Sequence, residues 1–171
     1  MKLNKTLLLI PTFFAIFNAP MFAQNCKHVV EKKDEFTKLT TRSAKIGFSS
    51  DCAVQMQRDA DKATMGFYIQ KFGVIDAKLT AGHKVLFKLE NDEVIELVLD
   101  KDCPPTAQRV GSNVYTSWWF TVPVDDAFYK KFTKSPVTAI RTSIGGLETT
   151  VRVKEKAGSA LMDTFICMLR D

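Results

Sequence analysis

The stretch KVLFKLENDEVIELVL, residues 84–99, decides the fold class. Val85, Phe87 and Leu89 alternate with Lys84 and Lys88. In the second half Ile95, Leu97 and Leu99 share one side, with Glu93 and Glu96 among the others. A period of two with one apolar face is the pattern of a half-buried strand. Only Asn91 and Asp92 separate the two runs, and both tolerate positive φ, so the pattern predicts a two-residue hairpin turn.

The same alternation recurs on both sides. TMGFYIQKF (64–72) puts Met65, Phe67 and Ile69 on one face and Thr64, Tyr68 and Gln70 on the other. NVYTSWWFTV (113–122) sends Val114, Trp118, Phe120 and Val122 one way and Tyr115 and Trp119 the other. Gly145-Gly146 marks a second hairpin between SPVTAIRTSI and LETTVRVK. Residues 36–48 read as a less regular strand or pair, and a short strand is expected near Val54 to Gln57. Helical signals are two. Asp125 is an N-cap candidate before AFYKKF, where Phe128 and Phe132 stand four apart. Residues 157–169 carry Leu161, Phe165, Met168 and Leu169 on one stripe, with Met162, Ile166 and Cys167 on the other side. The expected fold is mainly β: an antiparallel sheet, sandwich or barrel-like domain over residues 24–171, with a short internal helix and a C-terminal helix.

The first 23 residues have the order of a secretory signal peptide. Lys2 and Lys5 precede the apolar run Leu7 to Phe17, Asn18-Ala19-Pro20 break it, and Ala23 is the expected cleavage position. Asn25 stands where a lipid-anchored export needs a small residue before Cys26, so a soluble secreted or periplasmic product is expected, with no membrane insertion after cleavage. Removing the leader lowers the net charge from +5 to about +3, because 24 basic side chains lose two while 19 acidic ones remain. The basic residues are scattered, which argues against nucleic-acid binding.

All four cysteines, Cys26, Cys52, Cys103 and Cys167, lie after the leader. An even count in an oxidising compartment predicts two disulfides, with three possible connectivities. Free buried thiols are the next alternative. A metal site comes last, since no two cysteines stand at C-x2-4-C spacing.

KKDEFTKLTTRSAKI (32–46), the 84–99 hairpin and FTVPVDDAFYKKFTKSPVTAIRTSIGG (120–146) occur in this order. Together they resemble small secreted β-rich proteins of Bacteroidetes, a group without an assigned activity. The resemblance implies an exported bacterial β domain and carries over no site residue.

No catalytic set stands out. The only histidines are His28 and His83, the latter read as an exposed turn residue, and there is no G-x-S-x-G. Asp59-Ala60-Asp61 and Asp100-Lys101-Asp102 have a spacing seen in calcium loops but lack the Gly and distal Glu that complete one. No cofactor or metal is expected. The most suggestive feature is Tyr115 with Trp119, which on an exposed strand could form a platform for sugar rings or a protein partner. Coverage of that face by the C-terminal helix or a second sheet, making Trp119 core, is the favoured reading. Arg141 and Arg152, on neighbouring strands of the Gly145-Gly146 hairpin, are a second binding candidate, weighed against an ordinary solvated face. The function expected is a non-enzymatic exported domain that binds a protein or glycan of the envelope or exterior. A lipocalin-like small-ligand carrier is the alternative, although the lipocalin G-x-W motif is missing, and a hydrolase ranks last.

Overall fold

A computed structural model describes residues 26–60 and 62–170. The leader expected over residues 1–23 lies outside them. In chain order the strands are β1 (Val29–Lys33), β2 (Thr40–Ser49), β3 (Cys52–Arg58), β4 (Ala63–Phe72), β5 (Lys84–Leu89), β6 (Val94–Val98), β7 (Thr106–Val110), β8 (Asn113–Val124), β9 (Val137–Ile144) and β10 (Leu147–Arg152). The helices are α1 (Asp126–Lys131) and α2 (Glu155–Met168). One sheet runs β1-β2-β3-β4-β8-β7 and the other β10-β9-β5-β6, with every neighbouring pair antiparallel. The chain is mainly β, as its alternation predicts, and the two sheets stay open where a barrel would close.

Their inner faces meet through aromatic rings. Phe67 on β4 approaches Phe87 on β5 edge-on, with centroids 6.2 Å apart, and also touches Phe120 on β8. Phe87 meets Phe132 at the end of α1, and Phe132 stacks on Phe165 of α2 with centroids at 4.5 Å. One row of rings thus links both sheets and both helices. Asp125 caps α1 as expected, accepting from the Phe128 N–H at 2.7 Å. Tyr129 on α1 is fully buried, and its hydroxyl donates to the Thr64 carbonyl at 2.7 Å. None of the described helices is long and apolar enough to cross a membrane.

Several expectations need correction. The β5–β6 connection has three residues where two are expected. The Leu89 N–H donates to Glu93 O and the Asp92 N–H to Leu89 O, and Asp92 takes φ 66°. This is a type I turn followed by a left-handed residue, the usual three-residue hairpin loop. The Gly145-Gly146 turn does have two residues, with Ile144 paired to Leu147 and both glycines at positive φ. Residues 36–39 belong to the β1–β2 turn. There Asp34 Oδ1 accepts from the N–H groups of Phe36 and Thr37 and from the Thr37 hydroxyl. The DEFT-like start is therefore turn chemistry.

Two disulfides are expected and one forms. Cys26 bonds Cys167, tying the entry to β1 to the last turn of α2 across 141 residues. Cys52 and Cys103 are buried free thiols. Cys52 stands on the inward face of β3 among apolar side chains, and burial pushes its thiol up to about 12, leaving it inert as a nucleophile.

α2 crosses β9 closely at Gly158, where a Cβ would lie 2.3 Å from Val137 O. Alanine would gain about 1 kcal/mol of helix propensity, but the clash is with backbone that cannot swing aside. Overpacking typically costs about 1–3 kcal/mol and here sits at the upper end. Gly158→Ala should therefore lower unfolding stability in urea, and equal or higher stability would show that α2 docks differently.

Candidate functional site

The outer face of the six-stranded sheet is set by what its inner face must bury. On β4, Met65, Phe67 and Ile69 face inward, so Gly66, Tyr68, Gln70 and Phe72 face out. On β8, Thr116, Trp118, Phe120 and Val122 face inward, which turns Tyr115, Ser117, Trp119 and Thr121 outward. The register pairs Tyr68 with Trp119, Gln70 with Ser117 and Phe72 with Tyr115. Two aromatic pairs result, with centroids 6.0 Å apart for Tyr68–Trp119 and 5.7 Å for Phe72–Tyr115. They are four residues apart along β4, or about 13 Å at strand rise.

Trp119 corrects the favoured reading: among the described residues no sheet or helix covers it, and it remains 43% exposed. Its indole lies across the neighbouring strand at Gly66. A Cβ on Gly66 would sit 3.5 Å from Trp119 Cζ2. From β2, Lys45 Nζ reaches to 5.8 Å from the Trp119 ring centroid. The row through Tyr68 continues into Ala53 and Gly47, so the rings stand beside a shallow floor. Around them are the amides and hydroxyls of Gln55, Gln70, Ser117 and Thr121. The Tyr68 hydroxyl donates to Gln70 Oε1, which leaves the Gln70 amide N–H groups available. Burial, aided by the Asp51 carboxylate, pushes the Tyr68 phenol up, so it stays a donor at neutral pH.

Of the four binding candidates, the fold brings Tyr115 and Trp119 onto this face. Arg141 and Arg152 lie across the sandwich on the outer face of the second sheet, at diagonal positions of β9 and β10. There Arg141 pairs with Glu148 at 3.4 Å, beside the pairs Lys84–Glu96 and Lys88–Asp92. A hollow of about 170 Å³ over Leu86 and Ala139 interrupts that face. Its charges largely cancel one another, which leaves a solvated sheet face. Tyr68, Phe72 and Gly66 were not singled out by sequence reasoning. The signals were the alternation that put Tyr68 opposite the core residues, and a glycine inside a strand, which often marks close approach of another group.

Two of the candidates for chemistry, His83 and Asp102, are engaged within the fold. His83 is half-buried and is not the exposed turn residue expected. Its Nε2 lies 2.7 Å from Thr142 Oγ1, and burial holds the imidazole below its ordinary pKa. Thr142 is itself buried and also donates to Lys84 O, so the pair ties the His83 turn to the second sheet. Asp102 accepts from Lys78 Nζ and from the Ala81 N–H. Asp61 lies outside the described residues. No protein family, curated protein or solved structure matches the chain.

The adjacent tryptophans make a paired test. Trp118 is fully buried and donates from Nε1 to Ala77 O at 2.8 Å. Trp118→Ala should cost about 3–5 kcal/mol, and Trp119→Ala no more than about 1 kcal/mol, both read from urea unfolding. Equal losses would mean that Trp119 is core.

Proposed function

We propose that this protein is an exported, non-enzymatic binding module whose aromatic sheet face stacks on the sugar rings of a glycan of the cell envelope or exterior. The observation that carries the reading is Trp119 laid over Gly66 beside Tyr68, in a setting of amides and hydroxyls. Sugar rings present C–H faces, which pack on flat aromatic rings, and hydroxyls, which bond to amides. The charges beside the central rows are Lys45 over the Trp119 ring and, at the Gln70 end, Asp51, whose carboxylate bears on the Tyr68 phenol. A protein-binding hot spot is usually a desolvated aromatic or Arg anchor in a pocket. Here the rings lie open on a flat sheet with polar groups between them, which favours the glycan.

Export is supported by the leader-like residues 1–23 and by the Cys26–Cys167 bridge, which suits an oxidising compartment. The carrier reading needs an enclosed apolar chamber. Between these sheets the space is taken by Trp118, Phe67, Phe87, Phe132 and Phe165, all fully buried.

Electrophoresis through gels containing a panel of neutral and acidic polysaccharides checks the proposal. At least one should retard the wild type. Trp119→Ala and Tyr68→Ala should each lower that affinity by about 10- to 100-fold. Phe36→Ala, at the tip of the β1–β2 hairpin, should leave it unchanged. A panel that never retards the wild type, or retention unaffected by Trp119→Ala, would overturn it.

A further inference from the structure

A second feature adjoins the platform at Lys45. β1 pairs with β2 only from Val29↔Ala44 onward to Lys33↔Thr40, so among the described residues the edge of β2 beyond Ala44 has no strand beside it. The Cys26–Cys167 bridge draws the preceding Lys27-His28 turn toward α2 instead. Between that turn, the bare edge of β2 and the first turns of α2 lies an open crevice of about 420 Å³. Lys27, Lys45, Lys154 and Lys156 line it, with Ala157 and Ala160 along one wall. A smaller hollow of about 250 Å³ adjoins it, sharing Lys27, His28 and Lys156.

No carboxylate lines the larger crevice, and Asp163 enters only the smaller hollow. Glu155 lies between two of the lysines in sequence but lines neither. Among the described residues none of the four lysines forms an ion pair, whereas Lys78, Lys84, Lys88 and Lys134 on other surfaces each do. Holding four like charges together without counter-charges works against the fold. In a concave site the same arrangement focuses a positive potential on whatever enters. Lys45 belongs to both features, since it lines the crevice and reaches over the Trp119 ring.

We propose that the crevice takes the anionic substituent, a carboxylate or a sulfate or phosphate ester, of an acidic polysaccharide whose neighbouring ring stacks on Trp119. The inference rests on the glycan reading above and narrows it to acidic chains. The four lysines supply charge without a fixed fork, so they suit any of these anions, and the substituent is named by the test.

The experiment titrates the full secreted chain with polygalacturonate, dextran sulfate, neutral dextran and the non-sugar polyanion polyglutamate, at two salt concentrations. Three proteins are compared: wild type, Lys27→Gln/Lys154→Gln/Lys156→Gln, and Trp119→Ala. Far-UV circular dichroism checks that each is folded. Wild type should prefer one acidic polysaccharide over both dextran and polyglutamate. The triple variant should lose about tenfold in affinity for it and show a shallower salt dependence, while Trp119→Ala loses affinity with the salt slope kept. Unchanged affinity and salt slope in the triple variant would overturn the crevice proposal and leave the platform standing. Loss in the triple variant, with Trp119→Ala binding as wild type and polyglutamate bound equally well, would overturn both by reducing the site to a general polyanion patch.

Discussion

Phe67 on β4 stands opposite Phe120 on β8, and the outer surface follows from that pairing. The residues it directs inward are Met65, Phe67, Ile69, Trp118, Phe120 and Val122, all buried. Burying side chains of this size stabilises a fold by about 1.5–3 kcal/mol each, so together they contribute on the order of 10–20 kcal/mol. That matches or exceeds the whole net stability of a typical domain, about 5–15 kcal/mol. A slip of one residue would turn one strand's three of them outward, which holds the pairing in this phase. Tyr68, Phe72, Tyr115 and Trp119 face outward because their neighbours are held inside, with Phe72 and Trp119 exposed and the two tyrosines half-buried. The rings pair with one another and with Lys45, yet Phe72 and Trp119 still present apolar surface to water, and that surface is the one the proposed binding uses.

The rest of the molecule steadies this sheet. The row of rings from Phe120 through Phe67, Phe87 and Phe132 to Phe165 makes the second sheet and both helices parts of one core. α2 closes against β2 and β9, and the Cys26–Cys167 bridge fixes its end to the start of β1. In the chain-entropy model a bridge closing a loop this long contributes about 5 kcal/mol. The same bridge sets where the chain enters β1, so it also shapes the lysine crevice beside the platform. One covalent link thus serves stability and surface geometry together.

What could be read from the sequence was what burial writes into it. β4, β5, β6 and β8 each bury one face, and their alternation is plain. β7, TAQRV, is exposed at every position, and β1 has its last four residues exposed, so neither carries a period to find. The cysteine pairing was not legible because sequence position does not reveal which thiols lie within bonding reach. Cys52 and Cys103 end up in the buried interior, where an unoxidised thiol packs as a small apolar group. Trp119 was legible as a residue opposite Trp118, but whether something covered it depended on where α2 docks. The four crevice lysines are separated by up to 129 positions in the chain. Their meeting depends on the bridge, the late start of β1 pairing and the seat of α2, none of which leaves a local pattern.

The two indole N–H resonances separate binding from fold within one spectrum. Trp118 Nε1–H is held by Ala77 O inside the core, while Trp119 lies on the outer face. In a heteronuclear NMR titration with the polysaccharide that retards the wild type, the Trp119 indole signal should shift or broaden as sites fill, and the Trp118 signal should stay in place. A bound chain that leaves Trp119 unmoved would contradict the assignment of this face as the glycan platform.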